Sequence, residues 1–296
     1  MKFGVHLPQW GQRATRDGVL AVARTAEETG FDSVWVADHV VHPTSSTSVY
    51  PFSAQPPWAP EDGFLEALTT LACVAGATAR VTLGTSVLVM PMRPTLLTAK
   101  TIATLDVLSG GRVSIAVGAG WWSEEFAALG EQFATRGRHL DAQLAALTML
   151  WKEGVGEFDS PTLNFEQIVC EPRPLRRGAI PLWIGGTGDA ALARVVKFGD
   201  GWHAVGANAE RLTVGIESLR KLALAAGRPW ESIRLSTTMS VPAVREAALK
   251  RINTAAELGF EQIVVNFPAQ SVDELRRAIG GFAEEIMTEV SEGADV

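Results

Sequence analysis

Leu182-Trp183-Ile184-Gly185-Gly186-Thr187-Gly188, running into Asp189–Phe198 and then Gly201–Val205, reads as strand, turn, helix and strand. The first strand is a short apolar run without alternation, as expected where both faces are covered. The same unit recurs outward from it in both directions. Strands are predicted upstream at Phe3–Leu7, Ser33–Val36, Val81–Val89 and Val113–Val117, and downstream at Ile233–Val241 and Gln262–Phe267. Helical patterns fill the intervals at Arg16–Thr29, Glu61–Thr78, Pro94–Leu108, Ser123–Gly130, Arg138–Trp151, Glu210–Ala226, Ala243–Leu258 and Val272–Val290. Eight such units with apolar strands predict a closed (β/α)8 TIM barrel rather than an open sheet. No linker or shift of composition divides residues 1–296, so the chain reads as a single domain. Two stretches break the rhythm and are expected as insertions. They are the Pro/Ser/Thr-rich segment His42–Pro60 after the second strand, too long for an ordinary connection and so either a lid loop or disordered, and the aperiodic Lys152–Gly178 after the fourth.

Composition excludes several function classes. With 47% hydrophobic and 20% charged residues, the chain has material for a large core. A net charge of −7 gives no footprint for nucleic acid or an anionic membrane surface. No charge-free apolar stretch is long enough to span a bilayer, and the N-terminus opens on a strand, Lys2-Phe3-Gly4-Val5, rather than a signal sequence. Cys73 reads as a core residue in the apolar run Leu68–Ala77, and Cys170 as a polar-loop residue. Two isolated cysteines support neither a disulfide framework nor a zinc site, so a reducing, cytoplasmic setting is expected.

In a parallel barrel, chemistry gathers at the C-terminal ends of the strands. Those ends carry His39 after the second strand, Gly118-Ala119-Gly120-Trp121-Trp122 after the fourth, and Gly185-Gly186-Thr187-Gly188 after the fifth. The last of these leaves a strand and opens a helix, so its N–H groups can converge on a phosphate; a plain tight turn is the equal alternative. His39 is the candidate catalytic residue, because a neutral imidazole at a strand end can exchange protons near pH 7. His6 is expected inside the barrel and His203 at its mouth. No His/carboxylate spacing suits a metal, and no Gly-x-Ser-x-Gly elbow suits a hydrolase. Trp10, Trp58, Trp121 and Trp122 fall in loops of the same face, where indoles can wall in a planar ring.

The order of several segments resembles the luciferase-like oxidoreductases, in particular their branch that uses the deazaflavin coenzyme F420. These segments are Gly30-Phe31-Asp32-Ser33-Val34-Trp35 with Asp38-His39, Leu83-Gly84-Thr85-Ser86-Val87-Leu88, and Leu105-Asp106-Val107-Leu108-Ser109-Gly110-Gly111-Arg112. Gly118-Ala119-Gly120-Trp121 with Glu124-Glu125-Phe126 follows, then Pro181-Leu182-Trp183-Ile184-Gly185-Gly186 with Gly199-Asp200-Gly201-Trp202. The resemblance implies a bulge with a non-prolyl cis peptide at Ser86–Val87, backing one face of the tricyclic ring. It also implies that Gly118, Ala119, Gly120 and Trp121, with Gly185, Gly186, Thr187 and Gly188, hold the cofactor, and that His39 approaches the ring. A homodimer is implied as well. One position departs: where the family's sugar-phosphate dehydrogenase carries a glutamate after the fourth-strand glycines, this chain has Trp121, and Glu124 and Glu125 one turn later read as solvated. The resulting expectation is an F420-dependent oxidoreductase acting on a small organic substrate. An FMN-dependent monooxygenase and a non-catalytic flavin-binding barrel are the alternatives.

Overall fold

The short apolar runs of the sequence become barrel strands, because each is covered by the core on one face and by helices on the other. In the computed structural model, which describes residues 1–175 and 180–292, these strands are β1 (Lys2–His6), β2 (Ser33–Val36), β3 (Thr82–Val89) and β4 (Val113–Gly118). They continue after a hairpin, β5 (Val155–Ser160) and β6 (Leu163–Val169), as β7 (Leu182–Gly185), β8 (Gly201–Ala204), β9 (Arg234–Ser240) and β10 (Gln262–Asn266). The parallel strands close in the order β1-β10-β9-β8-β7-β4-β3-β2. Around them lie α1 (Arg16–Glu28), α2 (Ala67–Ala75), α3 (Thr95–Ser109), α5 (Arg136–Glu153, after the short α4, Ser123–Ala128), α6 (Asp189–Phe198), α7 (Ala209–Ala225), α8 (Arg245–Glu257) and α9 (Val272–Phe282). Among the described residues, no helix is long and apolar enough to cross a membrane.

The barrel's interior is filled by indoles. Trp35 of β2 and Trp183 of β7 are fully buried there with Ala116 and Val264, and each ring nitrogen donates to a serine of its own or a neighbouring strand: Trp35 Nε1 to Ser33 Oγ (2.8 Å), Trp183 Nε1 to Ser114 Oγ (2.9 Å). The Trp35 indole fits because the neighbouring strand offers glycine beside it. A Cβ built on Gly84 of β3 would lie 2.5 Å from the Trp35 ring.

Three local expectations are corrected. The second helix starts at Ala67 rather than Glu61, because the Glu66 carboxylate caps it by accepting from the amides of Leu68 and Thr69. The segment Lys152–Gly178 contains the β5–β6 hairpin; its strands alternate between exposed and half-buried residues, so no apolar face announces them, and residues 176–178 lie outside the described residues. The cysteines exchange places: Cys73 is exposed and Cys170 buried. On α2 the core face is taken by Leu68, Leu71 and Val74, and helical spacing turns position 73 outward.

A methyl group at position 84 has nowhere to go but the Trp35 ring. Gly84→Ala is expected to lower stability by about 1–3 kcal/mol, measured by thermal or urea unfolding; an unchanged transition would mean that the indole can shift freely.

Candidate active site

The mouth of the barrel at the C-terminal strand ends opens into a cavity of about 1820 Å³. Its floor is made by an irregularity in β3. The register with β4 skips between Thr85 and Leu88, and the Ser86–Val87 peptide is cis. Val87 thereby stands among the central strands, against Trp35, Trp183, Ala116 and Val264. It can stand there because its neighbours lack side chains: a Cβ on Gly118 or Gly185 would come within 2.7 or 2.5 Å of the Val87 methyls. Ser86 is buried beside it and its Oγ lies 2.8 Å from His203 Nε2, while His203 Nδ1 meets Ser236 Oγ at 3.0 Å and the imidazole stacks on Trp35. Burial lowers the pKa of His203 to about 3, helped by nearby His6, whose own value burial lowers to about 4. Both are neutral at pH 7.

His39 sits on the rim, just past β2. Its Nδ1 lies 2.9 Å from Glu125 Oε2, and the other oxygen, Oε1, accepts from the amides of Val40 (2.6 Å) and Val41 (3.3 Å). Glu125 is only 1% exposed. A carboxylate accepts from a protonated Nδ1, so the neutral ring presents an Nε2 lone pair and the charged ring an Nε2–H. Neighbouring Asp38 is buried and fixes this loop from the other side. It accepts from Val89 N (2.9 Å) and is paired with Arg93 (2.5 Å), which also reaches Glu66 (2.8 Å). Burial pushes the Asp38 carboxyl up, against the opposing pull of Arg93.

Aromatic rings enclose His39. Trp58 is 4.8 Å away between centroids, Phe64 5.4 Å, Trp122 5.5 Å and Trp121 6.1 Å; Trp10 stacks on Phe64, and Trp121 on Trp122. Tyr50 packs on Trp58 and Trp121, and burial pushes its hydroxyl up to about 12. The Trp58 indole nitrogen is buried with no hydrogen-bond partner among the described residues. Across the mouth the lining changes character. There Gly185, Gly186, Thr187 and Gly188 lead into α6, whose N-terminus has no side-chain cap. Arg138, Arg211, Lys250 and Arg251 line that side with no carboxylate partner among the described residues, whereas Arg194 is held by Asp141 at 2.6 Å.

The structure therefore gathers His39, Ser86, Val87, Gly118, Ala119, Gly120, Trp121, Gly185, Gly186, Thr187 and Gly188 onto one cavity. Sequence reasoning missed Glu125, which is buried under the loop after β2 instead of solvated. It also missed Asp38–Arg93 and placed His203 too shallowly. Nothing local distinguishes Glu125 from Glu124; only the fold turns one inward.

Because burial depresses both floor histidines below an unfolded value near 6.5, the unfolded chain binds the extra protons. Stability contributed by their neutral forms is complete above about pH 6.5 and is lost as pH falls toward 4 for His6 and 3 for His203. The melting temperature is expected to drop over that window, with a shallower drop in His203→Gln. Equal slopes in the two proteins would show that His203 titrates normally.

The chain matches the luciferase-like monooxygenase family over residues 1–288. An uncharacterised protein of Mycobacterium tuberculosis is 30% identical to it over 211 residues, covering 71% of this chain and 72% of that one. An F420-dependent glucose-6-phosphate dehydrogenase of Amycolatopsis mediterranei is 32% identical over 197 residues, 64% of this chain and 54% of that protein. An FMNH2-dependent dimethylsulfone monooxygenase of Pseudomonas putida is 28% identical over 165 residues, 55% and 45% respectively. Among solved structures, an F420-dependent secondary alcohol dehydrogenase in complex with an F420–acetone adduct superimposes with a TM-score of 0.78 at 21% identity, over 97% of this chain and 98% of that chain. A monooxygenase from Streptomyces bottropensis gives 0.78 at 20% identity, over 98% and 100%. These two likenesses show the barrel. The match over residues 1–288 establishes more: the chain belongs to the luciferase-like monooxygenase family.

Proposed function

We propose that this chain is an F420-dependent oxidoreductase that passes hydride between C5 of the deazaflavin and a small organic substrate. The observation that carries the reading is that Val87, seated against Gly118 and Gly185, and His39, held by Glu125, line one cavity. The residues present fit a flat cofactor with an anionic tail. Gly118 and Gly185 leave room for Val87 in the floor, and the Gly186–Gly188 turn brings the uncapped N-terminus of α6 to the cavity wall. Arg138, Arg211, Lys250 and Arg251 supply more positive charge on that side than one phosphate requires, which favours a multiply anionic tail over that of FMN.

When bound, the deazaflavin supplies the hydride chemistry. The chain does the rest. Val87 supports one face of the ring, with Ser86 tethered beneath by His203. Gly118, Ala119, Gly120 and Trp121 form the wall beside it, and Gly185, Gly186, Thr187 and Gly188 take the phosphate. The aromatic residues around His39 exclude water from the opposite face. The unpartnered Trp58 Nε1 donates to an acceptor atom on the ligand, and His39 Nε2 gives a proton to, or takes one from, the substrate oxygen. Glu125 orients the imidazole and balances its charge.

Purified protein titrated with F420 and with FMN, then assayed for turnover and oxygen uptake, tests the reading. Tight F420 binding without oxygen uptake is expected. His39→Ala should retain binding and lose about 10²–10⁴-fold in turnover, and Glu125→Gln should shift the pH profile. Binding of FMN alone, with oxygen consumption, would make the protein a monooxygenase. Binding with no turnover, and no effect of His39→Ala, would make it a carrier barrel.

A further inference from the structure

The catalytic reading leaves most of the loop after β2 unused, and that loop crosses the whole mouth. In the strand order β2 and β8 stand four places apart in either direction around the ring, so they lie diametrically opposite. Phe52 from the β2 loop nevertheless rests on Gly206, just past β8: a Cβ at Gly206 would fall 2.4 Å from the Phe52 ring, and the glycine has φ +64. Between β2 and that contact hang Tyr50, packed on Trp121, and beyond it Trp58, packed on His39. The near end is gripped by one side chain. Glu124 Oε1 accepts from Thr47 N (2.6 Å), Thr47 Oγ1 (2.9 Å) and Ser48 N (3.3 Å), and Oε2 from Ser48 Oγ (2.6 Å) and Ser123 Oγ (3.1 Å). Trp122 Nε1 adds a bond to Ser46 Oγ at 2.9 Å.

We infer that residues 46–58 form a strap closing the binding compartment, with Glu124 as its positioning residue and the Phe52–Gly206 contact as its latch. The two ends are unequal in chemistry. The Glu124 end is a set of charge-assisted hydrogen bonds, among the stronger non-covalent contacts. The Ser48 hydroxyl, then the Thr47 amide, hold this carboxyl well below the usual carboxylate range, so the grip persists at neutral and mildly acidic pH. The Phe52 end is one ring, 47% exposed, lying on a glycine. A ligand large enough to fill the cavity cannot pass a bar laid across its diameter, so the strap must lift, and it lifts at Phe52 while Glu124 keeps its register. Adjacent glutamates thus have separate duties: Glu125 orients the imidazole, Glu124 places the strap. Only the identity of the retained ligand rests on the function proposed above.

The test uses the full chain, first without ligand. In Glu124→Gln, hydrogen exchange at the Thr47 and Ser48 amides and proteolytic cleavage within residues 49–57 should each rise about tenfold, for loss of charge-assisted bonds, at an unchanged melting temperature. Phe52→Ala should increase cleavage without affecting exchange at Thr47. With F420 loaded, both variants should speed its dissociation. Unchanged exchange and cleavage in Glu124→Gln, or an unaltered dissociation rate in Phe52→Ala, overturns the strap. If F420 fails to bind any of the proteins but exchange and cleavage respond as stated, the strap stands and the cofactor assignment falls.

Discussion

A valine can occupy the middle of a barrel mouth only where the flanking strands bring no side chains. Here Gly118 and Gly185 supply that absence, with methyl-to-Cβ distances of 2.5–2.7 Å that no other residue could tolerate. The rest of the binding face follows from this steric condition. It seats Val87 against Gly118 of β4 and Gly185 of β7, and the glycine turns after those two strands line the same cavity as Val87 and His39. Deeper in the barrel the same device recurs, with Trp35 lying over Gly84. Large side chains interleaved with glycine make the interior both solid and specific in shape.

Polar groups are handled by the opposite rule: among the described residues, the buried carboxylates of Asp38, Asp106 and Glu125 are each held by hydrogen bonds. Asp38 ties the end of β2 to Val89 and Arg93 at the end of β3. Glu125 binds the loop's own amides as well as His39, so the orientation of the imidazole and the path of the backbone are set by one carboxylate. A cavity results whose two sides differ, aromatic around His39, cationic and glycine-rich around α6.

The barrel was legible because its strands carry a two-sided apolar signature and its helices end at glycines. The hairpin at residues 155–169 was not, since neither of its faces is buried. The strand-end positions of His39 and of the glycine turns were readable from topology, whereas Ser86–Val87 was expected only from the family resemblance, and the structure brings all of them to one cavity. Glu125 was not readable. It shares its type and its helix with Glu124, and its role depends on a loop 84 to 86 residues away in sequence. Cys73 and Cys170 show the same limit, for the apolar run around Cys73 conceals a helix face that points outward.

The central claim is that a flat heterocycle rests on Val87 with His39 on its open side. A crystal structure of the protein soaked with reduced F420 tests it most directly. The account predicts ring density in contact with the Val87 methyls, the phosphate against Gly186–Gly188, and His39 Nε2 facing the ring's free side. Density for the ring elsewhere in the cavity, or a ring whose phosphate lies among the aromatic residues around His39, would contradict it.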